Sequence, residues 1–412
     1  MDQNTAKIQI DQISETDRIL LFFLSSGVFE AHDFSGHDLK DLTVQEWNKI
    51  SNRSLYHGVA PQFYITLKDY WKSKIIIPSE IMQQLKNVFM INTALGLRRY
   101  YELVNVLQIL NEHSISVIVL KGACLANLIY KKMGIRTMSD VDLMFKDKDL
   151  ASAQALLAEK GYPAHSEKLN IDFHWTLDIP VHSLGISMQG VWDRAFCVEI
   201  EGVPTRILSP VDLILHLIMH VSYQHLFKHY GLRALYDIRE VIEHFSDQID
   251  WEEMKERASE WMIENSALLT FFLAKKLLNA NIPEEYLKDF TDNENNQEVI
   301  NWAMNSIFSK IVAVQGNVSP QFTVLWSQEP LWNKAGCLFR LLFPPSREIT
   351  TTYPVVHGTF KNYFYYFIRL KNHASYYYKL CLKMLKGDEE LSQRVKEQNK
   401  GLAVRRWLQG KA

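Results

Sequence analysis

Three carboxylates carry the first chemistry that the sequence offers. Asp140 and Asp142 stand one residue apart in Ser139-Asp140-Val141-Asp142-Leu143-Met144-Phe145, and Asp172 follows thirty residues after Asp142 in Ile171-Asp172-Phe173-His174-Trp175. Side chains alternate across a strand, so a strand through these residues sends Asp140 and Asp142 to one face, about 7 Å apart, and Val141 and Leu143 into the core. By the same rule Asp172 shares a face with His174. A third carboxylate brought beside the first two is costly without a cation: at ~4 Å and an effective dielectric of ~20, each like-charge pair repels by roughly 4 kcal/mol. Divalent cations remove that repulsion, oxygen donors suit Mg²⁺, and the resulting site serves in-line phosphoryl or nucleotidyl transfer. Gly122, in Leu120-Lys121-Gly122-Ala123-Cys124-Leu125, belongs with them. A glycine between a buried strand and a helix lets a phosphate approach the backbone, where a helix N-terminus offers N–H donors and positive dipole.

The elements that must position these residues follow from periodicity. Ser116-Val117-Ile118-Val119-Leu120 is a β-branched apolar run without polar alternation, which predicts a strand buried on both faces. A short helix over 123–130, a break at Gly134, a strand over 140–145, a helix over 150–160 ended by Gly161 and a strand over 169–177 follow it. The middle of the chain therefore reads strand–helix–strand–helix–strand. Its flanks read as helical: apolar spacing of three to four runs from Val44 to Leu55, Pro78-Ser79-Glu80 opens a helix, and Tyr100, Leu103, Val104, Leu107 and Leu110 share one face. Ser209 and Pro210 form a helix start, followed by helical stretches over 212–221, 232–245, 251–262 and 268–278. The fold class is α+β, a small mixed β-sheet core over 92–207 between helical regions over 1–91 and 208–412, the last with a basic, fraying tail at Arg405, Arg406 and Lys411.

Composition narrows the function classes. A chain of 412 residues that is 47% hydrophobic and 22% charged builds a large core and is not disordered. A net charge of −2 lacks the basic excess of an obligate nucleic-acid binder. Cys124, Cys197, Cys337 and Cys381 lie far apart with no Cys-x-x-Cys pair, which excludes a disulfide scaffold and a thiolate zinc site. The polar N-terminus lacks a secretory signal, and no run of 18 apolar residues occurs, so the expectation is a cytoplasmic protein without membrane partners. Walker, Gly-x-Gly-x-x-Gly and Gly-x-Ser-x-Gly motifs are missing.

With these residues in view the chain resembles the nucleotidyltransferase superfamily built on the DNA polymerase β palm, marked by a glycine turn, an Asp-x-Asp strand and a third acid on a later strand. More narrowly, it is similar to a bacterial and archaeal nucleotidyltransferase family that carries a Lys-Gly-small-small-Leu turn, an Arg before the Asp-x-Asp and an acid–apolar–His–Trp strand. These stand here as Lys121-Gly122-Ala123-Cys124-Leu125, Arg136 with Asp140 and Asp142, and Asp172-Phe173-His174-Trp175. The likeness extends to Trp47, His57-Gly58-Val59-Ala60-Pro61, Leu208-Ser209-Pro210-Val211-Asp212 and Leu235-Tyr236-Asp237-Ile238, and thins beyond about residue 290.

The resemblance implies that Asp140 and Asp142 hold two Mg²⁺ (or Mn²⁺), and that Asp172 ligates one ion and activates an acceptor hydroxyl. It implies that Gly122 and Ala123 meet the phosphates of a nucleoside triphosphate, ATP foremost, with Lys121, Arg136 and His174 as further nucleotide contacts. The acceptor would be a hydroxyl on a small molecule, peptide or protein rather than a nucleic acid. Two departures stand out: the superfamily usually has serine where Ala123 stands, and the spacing from Gly122 to Asp140 is long. A catalytically silent binding module and template-independent addition of nucleotides to RNA ends are the alternatives.

Other features have blander readings. His216, His220, His225 and His229 pair at i, i+4 as zinc ligands could, but packing and capping fit them better; His220 or His225 could line the cleft. Asp237 has Arg233 four residues before it as a helical ion-pair partner. The aromatic run Tyr363 to Phe367 reads as a buried helix, with base stacking or a membrane surface as lesser readings.

Overall fold

The computed structural model describes residues 13–25, 39–70, 76–164, 166, 168–177, 185–228, 231–309, 382–383, 386–408 and 410. The chain divides into two units, Met1–Ser309 with Leu408–Ala412, and Lys310–Trp407. In the second, the principal described element is part of the helix Glu389–Leu408, which carries Arg405 and Arg406 within helical structure rather than in a frayed tail. The aromatic run at 363–367 and the prolines at 344, 345 and 354 lie outside the described residues.

The first unit begins with helices α1 (Glu15–Ser25), α2 (Val44–Tyr56), α3 (Ala60–Tyr70) and α4 (Ser79–Glu112). Thr43 starts α2 through a capping box: its hydroxyl accepts from the Glu46 N–H, and its own N–H donates to the Glu46 carboxylate at 2.8 Å. Trp47 and Ile50 then face inward at the expected spacing. The two helical signals around Pro78 and over 98–111 belong to one 34-residue helix, α4. Nothing in the intervening residues carries the proline that would end it.

The predicted alternation of strands and helices follows as β1 (Val117–Val119), α5 (Lys121–Cys124) continued by a π-helical turn at Leu125–Ile129, β2 (Val141–Phe145), α6 (Asp147–Glu159) and β3 (Ile171–His174). After α7 (Met188–Arg194), two strands not expected from the sequence complete the sheet, β4 (Phe196–Ile200) and β5 (Val203–Ile207). They form a hairpin around Glu201 and Gly202, whose φ of 49° and 76° fit the two-residue turn that matches strand twist. The sheet order is β3-β2-β1-β5-β4, mixed in direction: β2 runs parallel to β3 and antiparallel to β1, and β1 runs parallel to β5. All residues of β1 and β2 are buried. Helices α4 and α6 pack on the sheet and on each other. This is the α+β architecture expected.

Helices α8 (Pro210–Ile218), α9 (Gly231–His244), α10 (Trp251–Glu260), α11 (Glu264–Leu278), α12 (Glu284–Thr291) and α13 (Asn296–Phe308) close the unit. Ser209 caps α8 by accepting from the Asp212 N–H at 3.2 Å, with Pro210 at the first helical position. Every residue of α8 is buried, and it runs on into a second π-helical turn at Met219–Gln224. Asp212, fully buried, is paired with Arg194 and Arg257 at 3.1 and 3.0 Å.

Candidate active site

Parallel pairing of β2 with β3 sets Asp142 opposite Asp172 in register, and Met144 opposite His174. Aligned residues of neighbouring strands point to the same face, so both carboxylates and the imidazole project from one side of the sheet. Their ligand atoms all lie within 4.8 Å of one another. His174 Nε2 stands 2.9 Å from Asp142 Oδ1 and 3.3 Å from Asp172 Oδ2, bridging the two acids. Asp172 is 58% exposed at its side chain, while Asp142 is buried.

A fourth member arrives from β1. The antiparallel ladder between β1 and β2 runs one step further, with the Leu120 N–H donating to the Asp142 carbonyl at 3.0 Å. Lys121 follows with φ of +40°, a left-handed conformation that non-glycine residues seldom adopt and that strained functional sites often hold. From there its Nζ reaches Asp142 Oδ1 at 2.9 Å. Burial alone would favour the neutral acid, but the His174 hydrogen bond and the Lys121 ammonium outweigh it and hold Asp142 well below the usual carboxylate range. Asp142 is therefore an anion at neutral pH.

Gly122 is buried beside Lys121, and the space its missing side chain leaves is taken by an arginine. A Cβ at Gly122 would stand 2.5 Å from Arg136 Nη1. Arg136 is fixed in turn by Asp237 on α9, at 3.0 Å, and Asp237 also accepts from the Tyr130 hydroxyl at 2.7 Å. The turn leading to Arg136 is tied to α4 by Asn92 Nδ2 donating to the Gly134 carbonyl at 2.7 Å. The partner of Asp237 that sequence spacing proposes, Arg233, donates to Thr137 Oγ1 at 2.8 Å; the ion pair of Asp237 comes from a residue 101 positions away.

These residues border a cavity of about 620 Å³, within the range of small-molecule sites. Lys121, Gly122, Arg136, Asp140, Asp142, Asp172 and His174 all line it; Ala123, buried in α5, does not. Asp140 precedes β2 rather than lying in it, accepts from Ser139 Oγ at 2.9 Å, and stands outside the Asp142–Asp172–His174 group. The strand begins at Val141, one residue later than the sequence reading starts it. Another wall comes from α8 and its π-helical extension, with His216, His220 and His225. His220 and His225 meet Nε2 to Nε2 at 3.2 Å. Burial first, then Lys121 and His225, push His220 down to about 3, and burial with Lys121 keeps His216 neutral as well. His229, the last of the sequence pairs, lies outside the described residues.

The donor set fits a small divalent cation. Separations of 2.9 and 3.3 Å between donor atoms are those of neighbouring ligands at about 2.1 Å from one ion, and a cation there would displace the Nε2 proton. With an imidazole in the set, Mn²⁺ suits it better than Mg²⁺.

The family model described as "Uncharacterised nucleotidyltransferase" matches residues 43–279, more than half of the chain and the whole of the sheet and cavity. No curated protein and no solved structure matches.

Proposed function

The chain belongs to the family of uncharacterised nucleotidyltransferases, and from that premise we propose that its cavity moves a nucleoside monophosphate from a nucleoside triphosphate, ATP foremost, to an acceptor hydroxyl. The observation that carries this reading is the convergence of Asp142, Asp172 and His174 within 4.8 Å. We propose membership of the DNA polymerase β-like superfamily on the same grounds, supported by the glycine turn and the acids on adjacent strands. Asp142, Asp172 and His174 would hold Mg²⁺ or Mn²⁺, with Asp140 contributing from the cavity wall. The bound ion would supply Lewis-acid stabilisation of the charge that develops on the phosphoryl oxygens.

The chain's own residues divide the remaining work. Asp142 stays ionised and anchors Lys121, whose ammonium is placed for the triphosphate. Arg136, pinned over Gly122, presents a second fixed cation. Asp172, the more exposed carboxylate, takes the proton of the acceptor hydroxyl. The acceptor oxygen then bonds to the α-phosphorus, the bond from that phosphorus to the β-bridging oxygen breaks, and pyrophosphate leaves.

The acceptor is a small molecule, peptide or protein; a net charge of −2 weighs against nucleic acid. No helix among the described residues is long and apolar enough to cross a membrane. A second reading, a silent nucleotide-binding module, is favoured by one observation: Ala123 stands where the superfamily has serine, and it does not reach the cavity. Incubation with Mn²⁺ or Mg²⁺, each α-labelled nucleoside triphosphate and a cell lysate tests the proposal. Label should pass to a lysate component and stop with Asp142→Asn. Transfer that survives the substitution overturns the assigned site, binding without transfer selects the silent module, and laddering of RNA selects RNA-end addition.

A further inference from the structure

Of the Lys and Arg side chains among the described residues that line the cavity, Lys121, Arg136 and Arg233, the transfer chemistry uses the first two. Arg233 stands in the first turn of α9, half-buried, and donates from Nη1 to Thr137 Oγ1 at 2.8 Å. Thr137 holds Arg136 as well, its carbonyl accepting from Nη1 of that residue at 3.1 Å. One cavity-lining threonine thus ties together two guanidinium groups that both face the cavity. Helix stability does not explain the cation on α9. A positive side chain in the first turn opposes the helix dipole, and α9 has no acidic residue there to offset it. Asp237, one turn further on, is bound by Arg136 and by the Tyr130 hydroxyl.

The order of contacts gives that charge a place. Lys121 touches Asp142 at 2.9 Å, within the candidate metal group. Gly122 follows Lys121 in the chain and packs against Arg136; Arg136 meets Thr137, and Thr137 meets Arg233. Three cations therefore succeed one another in contact order from Asp142. The wall from α8 and its π-helical extension has neither Lys nor Arg. A polyphosphate that reacts at the metal group through its α-phosphorus needs its outer phosphates neutralised further along, and the fork of an arginine suits phosphate oxygens.

We infer that Arg233, together with Arg136, binds the β- and γ-phosphates of the triphosphate, and that Thr137 is the positioning residue that sets the two guanidinium groups on them. This role rests on the reading of the cavity as a nucleotide site. As the bond from the α-phosphorus to the bridging oxygen breaks, the pair stabilises the charge that the departing pyrophosphate takes with it.

Calorimetry with the four α,β-methylene nucleoside triphosphates and the matching monophosphates, each with Mn²⁺, tests this. For Arg233→Gln we expect the preferred triphosphate to bind about ten- to hundredfold more weakly, the effect of losing roughly one charge-assisted hydrogen bond, with its monophosphate unchanged. Arg233→Lys, which keeps the charge, should recover part of the affinity. Thr137→Val should weaken the triphosphate about fivefold, and Thr137→Ser should restore it. On the wild-type protein, phenylglyoxal should modify Arg233, as mapped by mass spectrometry, and the bound triphosphate should slow that reaction. Unchanged triphosphate binding by Arg233→Gln, equal weakening of triphosphate and monophosphate, or an Arg233 that does not react or reacts as fast with triphosphate bound overturns the inference and leaves the nucleotide site standing. Should Arg233→Gln fail to fold, the wild-type modification decides. A wild-type protein that binds none of the four analogues overturns the nucleotide site and this inference with it.

Discussion

The guanidinium of Arg136 fills the place of the side chain that Gly122 lacks: a Cβ there would lie 2.5 Å from Nη1. Arg136 cannot yield freely, because Asp237 holds it at 3.0 Å and its side chain is 10% exposed. Gly122→Ala should therefore push the arginine off its carboxylate. We expect a loss of about 1–3 kcal/mol in stability from overpacking, read as a lower Tm, together with at least tenfold weaker triphosphate binding. An alanine variant with wild-type binding would mean that Arg136 does not act on the phosphates.

Asp142 and Asp172 should separate in their effects on stability but not on activity. Asp142→Asn removes the anion from between Lys121 and His174, both close to it, and leaves the Lys121 ammonium, 13% exposed, without its partner. Breaking a buried pair costs about 3–5 kcal/mol, less here to the extent that Lys121 turns toward the cavity. Asp172→Asn, at an exposed position, should leave Tm within a degree or two. Both should lower transfer by about 10²–10³ in kcat, the scale for deleting one preorganised electrostatic group. Thermal melts and label-transfer rates on the two variants check this.

The imidazole in the donor set predicts a metal preference. Transfer and nucleotide binding should be stronger with Mn²⁺ than with Mg²⁺, and addition of EDTA should abolish transfer. His174→Asp makes the set all oxygen and should move the preference toward Mg²⁺. Titration of each ion against wild type and variant, followed by Mn²⁺ electron paramagnetic resonance, reads the shift without relying on turnover.

Acid should destabilise the protein from just below neutrality. Burial, only partly offset by its hydrogen bond to Asp17, lowers the pKa of His57; burial and Lys121 lower that of His216 well below 6.5. Between 6.5 and those folded-state values, the unfolded chain takes up protons that the native state refuses. Stability is thus full above about pH 6.5 and falls as pH drops. Tm measured from pH 8 to pH 5 should decline through this window, and His216→Leu should decline less steeply. A flat wild-type profile would contradict the neutral histidines.

The strands bearing the acids were legible in the sequence because a β-branched run and an apolar–acid alternation are local signals, set by nearest-neighbour sterics and by which face meets the core. The cap at Ser209 was legible for the same reason. The β4–β5 hairpin was missed, although Glu201-Gly202 between Ile200 and Val203 is a two-residue turn signal and β5 alternates buried with outward residues; β4 lacks that alternation, and Pro204 within β5 reads against a strand. What tertiary structure alone decided is pairing across distance. The register that sets Asp172 beside Asp142 and the reach of Arg136 to Asp237 across 101 positions are invisible to spacing. Periodicity tells which side of an element is apolar, but a polar side chain there reads the same whether a carboxylate, a backbone carbonyl or an open cavity faces it, and only the packing of elements far apart in the chain chooses among them.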